Sequence, residues 1–306
     1  MNPSSRRDFL KKTSTLLGLA YAVSAFDKPP GNPLLSFSTL GCPDWSFDTI
    51  LKFAAENKYD GIEIRGIQRQ LDLTKCPEFK TIENIPTTRN RVEAKGIRIV
   101  DLGSSCELHH ANTATRTKNL DEGKKFIDLA QQLNCPNIRV FPNKLPDNDQ
   151  RNATIDLIIK GLIELGDYAK GSQVNVLLES HGDAVQTMEL KKMMDSAAHP
   201  QVGLVWDIVN MWSVTKESPA SVYELLKKYI RHTHIKDGKM VDGQIHYTLV
   251  GKGETPIFEA VDALSIGGYK GYYSFEWEKL WHPQLAEPEQ SFPGFVAALR
   301  SVLAQI

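Results

Sequence analysis

Short runs of apolar residues recur along this chain, separated by longer stretches in which apolar residues stand three and four positions apart. The short runs are rich in Val, Ile, Leu and Phe, which is typical of strands buried on both faces of a parallel sheet. The longer stretches have the period of amphipathic helices. We predict strands over residues 34–40, 61–65, 97–103, 137–141, 174–179, 202–207, 230–236 and 271–277. We predict helices over residues 47–57, 89–95, 120–133, 154–170, 187–197, 220–228, 257–264 and 292–304.

Eight predicted strands, each followed by a predicted helix, indicate a single-domain α/β fold, the (β/α)8 TIM barrel, over residues 34–306. A barrel of this kind commonly fills about 250 residues, which suits a chain of 306 residues. An open, doubly wound sheet is the main alternative. It is disfavoured because no Gly-x-Gly-x-x-Gly sequence follows the first strand, where a nucleotide-binding fold would place its phosphate loop.

The N-terminus carries the pattern of an export signal. Arg6 and Arg7 precede Phe-Leu-Lys, and a weakly apolar run then ends at residue 25 in Val-Ser-Ala, a small-x-small cleavage pattern. The run is too short to span a bilayer as a helix, and a basic amphipathic helix is the alternative. The segment resembles a twin-arginine signal. We therefore expect residues 1–25 to be removed, residues 26–33 to be a linker, and the mature protein to be periplasmic or secreted without a stable membrane anchor.

The rest of the chain is an ordinary globular sequence, since the protein has 41% hydrophobic and 24% charged residues. Because residues 1–25 contribute +3 to the formal net charge of −1, the remainder carries about −4. This charge argues against a nucleic-acid partner, whose binding draws on clustered Lys and Arg. The four cysteines lack the close paired spacing of a zinc site. We expect buried thiols, and an oxidising destination would permit one disulfide.

Acidic and histidine side chains stand at the ends of the last four predicted strands. Strand five ends in Glu179, strand six in Asp207, strand seven contains His234, and strand eight ends in Glu276. In a TIM barrel the chemistry lies at the carboxyl ends of the strands. Because side chains alternate along a strand, all four can point into the barrel. Taken singly, such an acid is more often a helix N-cap or a surface residue.

Three carboxylates and one imidazole form an oxygen-rich set of ligands that suits one divalent ion: Mn²⁺, Mg²⁺, Co²⁺ or Zn²⁺. Without a cation, the converging carboxylates would repel one another and their burial would cost free energy. The sequence therefore predicts a site for one metal ion, with Glu179, Asp207, His234 and Glu276 as its ligands.

From about residue 35 onward the chain resembles the xylose isomerase-like barrels, a family that includes sugar and sugar-phosphate isomerases and epimerases, inosose isomerases and dehydratases, and endonuclease IV. The motifs that carry the resemblance are Asp-Gly-Ile-Glu at 60–63, Leu-Glu-Ser-His-Gly at 178–182, Trp-Asp at 206–207, His-Thr-His-Ile-Lys-Asp at 232–237, Gly-Lys-Gly-Glu at 251–254, Gly-Tyr-Lys-Gly at 268–271 and Phe-Glu at 275–276. The resemblance implies that the Glu, Asp, His and Glu set binds the metal. It also implies that Glu179 and Glu276 move protons.

The chain departs from some members of this family at three positions. Asn210 stands where many relatives have a histidine, three residues after the aspartate of strand six. Val185 and Met240 stand where ketohexose 3-epimerases have a glutamate and an arginine. These differences disfavour a ketohexose 3-epimerase. Endonuclease IV is disfavoured because it needs more histidines and a basic groove.

Further residues at the predicted mouth are candidates for catalysis or for substrate binding. His181 and Lys236 each lie two positions beyond a predicted ligand; we expect both to face the substrate, with the charged form of Lys236 disfavoured by the metal. A rim histidine bonded to a loop is the alternative for His181. The candidates for substrate binding are Glu63, Arg139, Trp45, Trp212 and Trp281. For these, an internal ion pair or a partly buried loop tryptophan is the alternative.

The chemistry that the resemblance implies is abstraction of a proton next to a carbonyl, with a metal-stabilised enediolate. Because export separates the enzyme from cytoplasmic sugar phosphates, we expect a non-phosphorylated sugar or keto-sugar as substrate. A sugar isomerase or epimerase is the first interpretation. A β-eliminating lyase or dehydratase acting on a keto-sugar or 3-keto-glycoside is the second, and a sugar-binding protein without turnover is the third. A homo-oligomer is compatible with each.

Overall fold

The computed structural model describes residues 33–305. The predicted signal segment, residues 1–25, and nearly all of the predicted linker lie outside the described residues. The described part forms one compact unit.

Eight parallel strands close into a barrel, which confirms the fold that the sequence predicts. Each barrel strand pairs with the barrel strands that precede and follow it in sequence. The last barrel strand pairs with the first, with Leu34 opposite Tyr272. The barrel strands are β1 (Leu34–Ser38), β2 (Gly61–Ile64), β3 (Arg98–Glu107), β4 (Asn137–Phe141), β5 (Asn175–Glu179), β6 (Val202–Asp207), β7 (Ile230–Ile235) and β10 (Tyr272–Phe275). All of their carboxyl ends therefore open at one end of the barrel, the mouth.

Helices surround the barrel and pack their apolar faces on it. They are α1 (Phe47–Glu56), α2 (Asn84–Glu93), α3 (Thr113–Gln132), α4 (Arg151–Ala169), α5 (Thr187–Ala197), α6 (Ile208–Thr215), α7 (Pro219–Leu226), α8 (Ile257–Ile266) and α9 (Pro288–Leu303). Helix α3 begins seven residues before the predicted start, because the Asn112 side chain accepts a hydrogen bond from the backbone N–H of Thr115 and caps it.

A helix after β6 and a hairpin after β7 have no counterpart in the sequence prediction. Helix α6 follows β6 directly, and Asp207 caps it by accepting a hydrogen bond from the N–H of Asn210. An antiparallel hairpin, β8 (Asp237–Val241) and β9 (Gln244–Thr248), follows β7. Asp242 and Gly243 at its turn have φ of 50° and 77°, as an Asp-Gly turn of type I′ requires.

Aromatic rings close the barrel seam. The ring centroid of Phe37 on β1 lies 4.5 Å from that of Phe292, and the ring centroid of Phe275 on β10 lies 4.7 Å from that of Phe295. Helix α9 therefore covers the joint between the first and last strands. Trp206 and Trp277 point outward from β6 and from the end of β10 into the helix layer, where both are buried. The four cysteines are buried and free. Within the described residues no helix is long and apolar enough to cross a membrane.

Candidate active site

The structure brings the four predicted metal ligands together at the mouth. Glu179, Asp207, His234 and Glu276 each offer one ligand atom, and these atoms all lie within 4.8 Å of one another. All four side chains are buried. Asp207 and His234 pair directly across β6 and β7. The alternation of side chains along β5, β6, β7 and β10 thus produces one converging set.

The hydrogen bonds of His234 decide which of its nitrogens faces the carboxylates. Nε2 lies 2.9 Å from Oε2 of Glu63, an acceptor, so Nε2 donates. Nδ1 faces the other way, 3.2 Å from Oε1 of Glu179 and 3.3 Å from Oε1 of Glu276. A nitrogen among carboxylates needs a proton or a metal ion. A carboxylate behind the remote nitrogen is how metal-binding histidines are commonly oriented, so the donor set fits a divalent ion.

Lys236 supplies a buried positive charge beside these groups. Its Nζ lies 2.6 Å from Oδ2 of Asp207, 2.5 Å from Oε2 of Glu276 and 2.6 Å from Oε1 of Glu278. Burial lowers the pKa of Lys236, but the three carboxylates outweigh burial and raise the pKa well above its usual value. In the metal-free protein the charged form of Lys236 is therefore favoured, because the nearest charges are carboxylates; the expected effect of a bound metal on Lys236 stays a prediction.

The two glutamates differ in protonation. Burial raises the pKa of Glu276 to about 8, although His234 and Lys236 oppose this effect. Burial acts in the same direction on Glu179, but Arg139 and His234 overcome it and hold the pKa of Glu179 below its usual range. Nε of Arg139 lies 3.1 Å from Oε2 of Glu179. At neutral pH Glu179 is therefore ionised, while Glu276 can carry a proton.

Glu63 and Arg139 lie inside the barrel wall. Glu63 is fully buried, and its Oε2 accepts from His234 and lies 3.0 Å from Nε2 of His232. Arg139 contacts Glu179 and donates from Nη1 to the carbonyl of Ser104 at 2.9 Å. Oε2 of Glu63 and Nη1 of Arg139 are thus bonded to protein groups, whereas Oε1 of Glu63 has no hydrogen-bond partner among the described residues. The expected contact of these two side chains with a substrate hydroxyl stays a prediction.

The three predicted mouth tryptophans occupy different surroundings. Trp45 packs on Phe53 at 4.8 Å between ring centroids. The ring of Trp212 is covered by the ammonium of Lys216 at 3.5 Å. Of these three residues, Trp281 is the most open, with 52% of its surface exposed. A free aromatic face for stacking on a sugar ring is therefore available at Trp281.

Several polar residues near the site were not singled out from the sequence. Tyr247 on β9 donates to Oε1 of Glu278 at 2.9 Å, so the hairpin contributes to the Lys236 cluster. The Asp-Gly turn at residues 242–243 is the sequence signal that could have revealed the hairpin. Asp101 on β3 is fully buried and its oxygens have no hydrogen-bond partner among the described residues. Burial, then the charge of Glu63, raises the pKa of Asp101 well above its usual value.

Asp237 anchors the loop that carries the Gly-Lys-Gly-Glu motif. Its Oδ2 accepts from the N–H groups of Gly251 and Gly253, each at 2.9 Å, and its Oδ1 accepts from the hydroxyl of Thr255 at 2.6 Å. A Cβ at position 253 would lie 1.9 Å from Oδ1 of Asp237. Only glycine permits this approach, so the motif fixes the hairpin at the mouth.

Histidines also gather where β3, β4 and β5 reach the mouth. Glu107, His109 and His110 form a second group whose ligand atoms lie within 4.8 Å of one another. Asn143 connects this group to His181, since Nδ2 of Asn143 donates to Oε1 of Glu107 at 2.5 Å and Oδ1 lies 2.9 Å from Nδ1 of His181. The structure thus places His181 at the rim, held by a loop residue.

The family model for xylose isomerase-like TIM barrels matches residues 51–295. The chain belongs to this family. The resemblance drawn from the strand-end motifs is therefore confirmed at the level of the family.

Among curated relatives, the 3-dehydroshikimate dehydratase of Bacillus anthracis is 23% identical over 230 residues, which cover 71% of this chain and 78% of that protein. Among solved structures, the IolI protein with a bound zinc atom has a TM-score of 0.75 at 16% identity, covering 89% of this chain and 98% of that one. The 3-keto-D-glucoside 4-epimerase of E. coli has a TM-score of 0.68 at 14% identity, and the match covers 88% of this chain and 100% of that one. The chain is thus similar in sequence to a dehydratase and similar in fold to an epimerase.

Proposed function

We propose that this protein is a divalent-metal-dependent sugar isomerase or epimerase that moves a proton next to a carbonyl of a non-phosphorylated sugar or keto-sugar. One observation carries the proposal: a carboxylate on each of β5, β6 and β10 and an imidazole on β7 converge within 4.8 Å. Glu179, Asp207, His234 and Glu276 would hold the ion, which when bound supplies positive charge that stabilises negative charge on substrate oxygens. The solved neighbour with bound zinc supports the presence of a metal without fixing its identity.

Glu179 and Glu276 have the properties of a proton-transfer pair. Glu179 is kept ionised by Arg139, so it is available to accept a proton although its basicity is lowered. In the metal-free protein the pKa of Glu276 is raised to about 8, and Glu276 would receive or return the second proton. A general acid or base works best when its pKa lies near the working pH. The two residues come from separated arcs of the barrel, β5 and β10, and can therefore reach a substrate from different sides.

The charges at the mouth support a substrate without phosphate. Glu276, Asp207 and Glu278 surround a single ammonium, that of Lys236. In the metal-free protein a phosphate group brought close to these carboxylates would be repelled. Trp281 offers an exposed ring that suits the apolar face of a sugar. Export through the twin-arginine route, as the N-terminal sequence predicts, would likewise separate the enzyme from sugar phosphates.

A dehydratase or β-eliminating lyase is the second candidate. The curated relative that covers 71% of this chain is a dehydratase. The same first step serves both reactions, because removal of a proton beside a carbonyl can be followed by loss of a β-hydroxyl or glycosyl oxygen. That departure requires a further proton donor on the leaving side, and Lys236 or His181 would be the donor.

Proton NMR in heavy water separates these reactions. The metal-loaded protein would be incubated with free sugars, 3-keto-glycosides and polyhydroxy ketones. Deuterium at one carbon of the substrate or of a rearranged sugar indicates isomerisation or epimerisation, whereas a new alkene or deoxy product indicates elimination. Binding of a sugar without any exchange would contradict both enzymatic functions and favour a sugar-binding protein.

A further inference from the structure

Asn143 stands between two side chains at the mouth and contacts each with a different end of its amide. Nδ2 lies 2.5 Å from Oε1 of Glu107, at the end of β3. Oδ1 lies 2.9 Å from Nδ1 of His181, two residues beyond β5. The other oxygen of Glu107, Oε2, lies 2.8 Å from Nε2 of His110. The four side chains form one chain of hydrogen bonds along the rim.

The direction of each hydrogen bond in this chain follows from Glu107. An ionised carboxylate only accepts, so Asn143 must turn its NH₂ group toward Glu107. The amide oxygen then faces His181 and can only accept, so Nδ1 of His181 must carry the proton. In a neutral imidazole the other nitrogen, Nε2, is then the acceptor. Nε2 makes no hydrogen bond to the described residues.

Independent contacts hold both Asn143 and the imidazole in place. The ring of His181 packs on Phe141 at 4.6 Å between centroids. The carbonyl of Asn143 accepts from the N–H of Asp183 at 2.8 Å. A Cβ at Gly182 would lie 2.4 Å from that carbonyl oxygen, so the loops after β4 and β5 touch through a glycine. Asn143 has a φ of 51°, a conformation that Asn tolerates better than most residues.

We propose that Asn143, oriented by Glu107, is a positioning residue that fixes His181 as the Nδ1–H tautomer and leaves Nε2 free to accept a hydrogen bond from a substrate hydroxyl. This use of His181 rests on the proposed function, in which a sugar or keto-sugar binds at the mouth. Nε2 of His181 would then receive that hydroxyl at the rim, on the β5 side of the mouth. Asn143 and Glu107 act through His181 and need not touch the substrate.

The tautomer can be measured directly, without any substrate. Protein labelled with ¹⁵N at histidine would be kept metal-free and studied by long-range ¹H–¹⁵N correlation NMR at about pH 8.5, two units above the usual histidine pKa of about 6.5. The signals of His181 are those missing from the His181→Gln spectrum. We expect Nδ1 of His181 to carry the proton in the wild type.

Variants at Asn143 and Glu107 test the cause of the tautomer. Asn143→Gly removes the amide without straining a backbone with positive φ, and we expect loss of the pure Nδ1–H form. Glu107→Ala releases the amide to rotate, so a mixture of tautomers is expected. Asn152→Ala, at an exposed position of α4, is the control and should match the wild type.

Two results would overturn the proposal. One is a wild-type His181 that carries its proton on Nε2. The other is a wild-type-like His181 spectrum in Asn143→Gly or in Glu107→Ala. A failure of the proposed function is separate, because it would be seen as the absence of deuterium exchange with every sugar while the tautomer of His181 is as expected.

Discussion

Nζ of Lys236 lies 2.5 Å from Oε2 of Glu276, and both side chains are buried. The same ammonium contacts Asp207 at 2.6 Å, so it touches two of the four candidate metal ligands. Lys236 thus offsets part of the negative charge that a bound cation would also offset. This relationship makes the stability of the metal-free protein and its response to metal depend on one residue.

Lys236→Met should destabilise the metal-free protein and enlarge its response to metal. Removing one partner of a buried ion pair costs about 3–5 kcal/mol, because the other charge is left uncompensated. A bound divalent ion would restore that charge, so the rise in Tm on adding metal should exceed that of the wild type. Differential scanning calorimetry with and without metal measures both effects. Lys228→Met, at an exposed lysine, is the control; an unchanged metal-induced rise in Lys236→Met would contradict this role.

The raised pKa of Glu276 predicts a pH dependence of stability in the metal-free protein. Its pKa is about 8 in the folded protein and about 4.3 in an unfolded chain. The folded state binds more protons between these values, so this group's stabilisation is complete below the lower value and is lost as the pH rises through 8. The measurement is denaturant unfolding of wild type and Glu276→Gln in the presence of EDTA. The free energy of unfolding of the wild type minus that of the variant should fall as the pH rises from about 5 to 8. A difference that does not vary with pH would contradict the shift.

His234→Ala should remove metal binding and the stabilisation that comes with it. The wild type is expected to hold about one divalent ion per chain, given one set of four converging ligands. Because a ligand of the folded state stabilises it by mass action, at a free concentration of 1,000 Kd by about 4 kcal/mol, the variant should show no metal-induced rise in Tm. His246→Ala, at an exposed position of the hairpin, is the control. Equal metal in wild type and His234→Ala by elemental analysis would rule out the assigned ligand.

Arg6 and Arg7 predict export of the folded protein. Exchange of both for lysine keeps the positive charge and removes the arginine pair, so the precursor should stay in the cytoplasm at its full length. Fractionation followed by N-terminal sequencing checks this, and the wild-type mature chain should begin after Ala25. Normal export of the double variant would exclude the twin-arginine route.

The residues at the strand ends are the part of the site that the sequence predicts best. A parallel strand buried on both faces is a short apolar run, so a terminal acid such as Glu179 or Asp207 is visible as a break in the run. The closed barrel then brings these ends together whatever the loops do. The fold and the convergence of the four candidate ligands could therefore be predicted from local patterns.

The depth and the partners of the inward side chains could not be predicted in this way. The register between β2 and β3 shifts at Ile62 and Glu63, and the strand pattern contains no sign of it. Glu63 lies against His234 beneath the site, whereas a substrate contact was expected from the sequence. The charge of Lys236 depends on Glu278, which follows β10. Contacts between residues this far apart in the chain leave no periodic pattern.

The central claim is that Glu276 moves a proton in a site that also holds the metal, and Glu276→Gln tests it most directly. Glutamine keeps the shape and one oxygen but cannot accept or return a proton, and general acid–base catalysis contributes about 10²–10⁴-fold in rate. Solvent deuterium exchange into the substrate would be measured at saturating metal, with metal content determined in the same sample and Glu224→Gln, at an exposed position, as the control. We predict a loss of at least about 10²-fold at full metal occupancy. Exchange as fast as in the wild type, in fully metal-loaded Glu276→Gln, would contradict the claim.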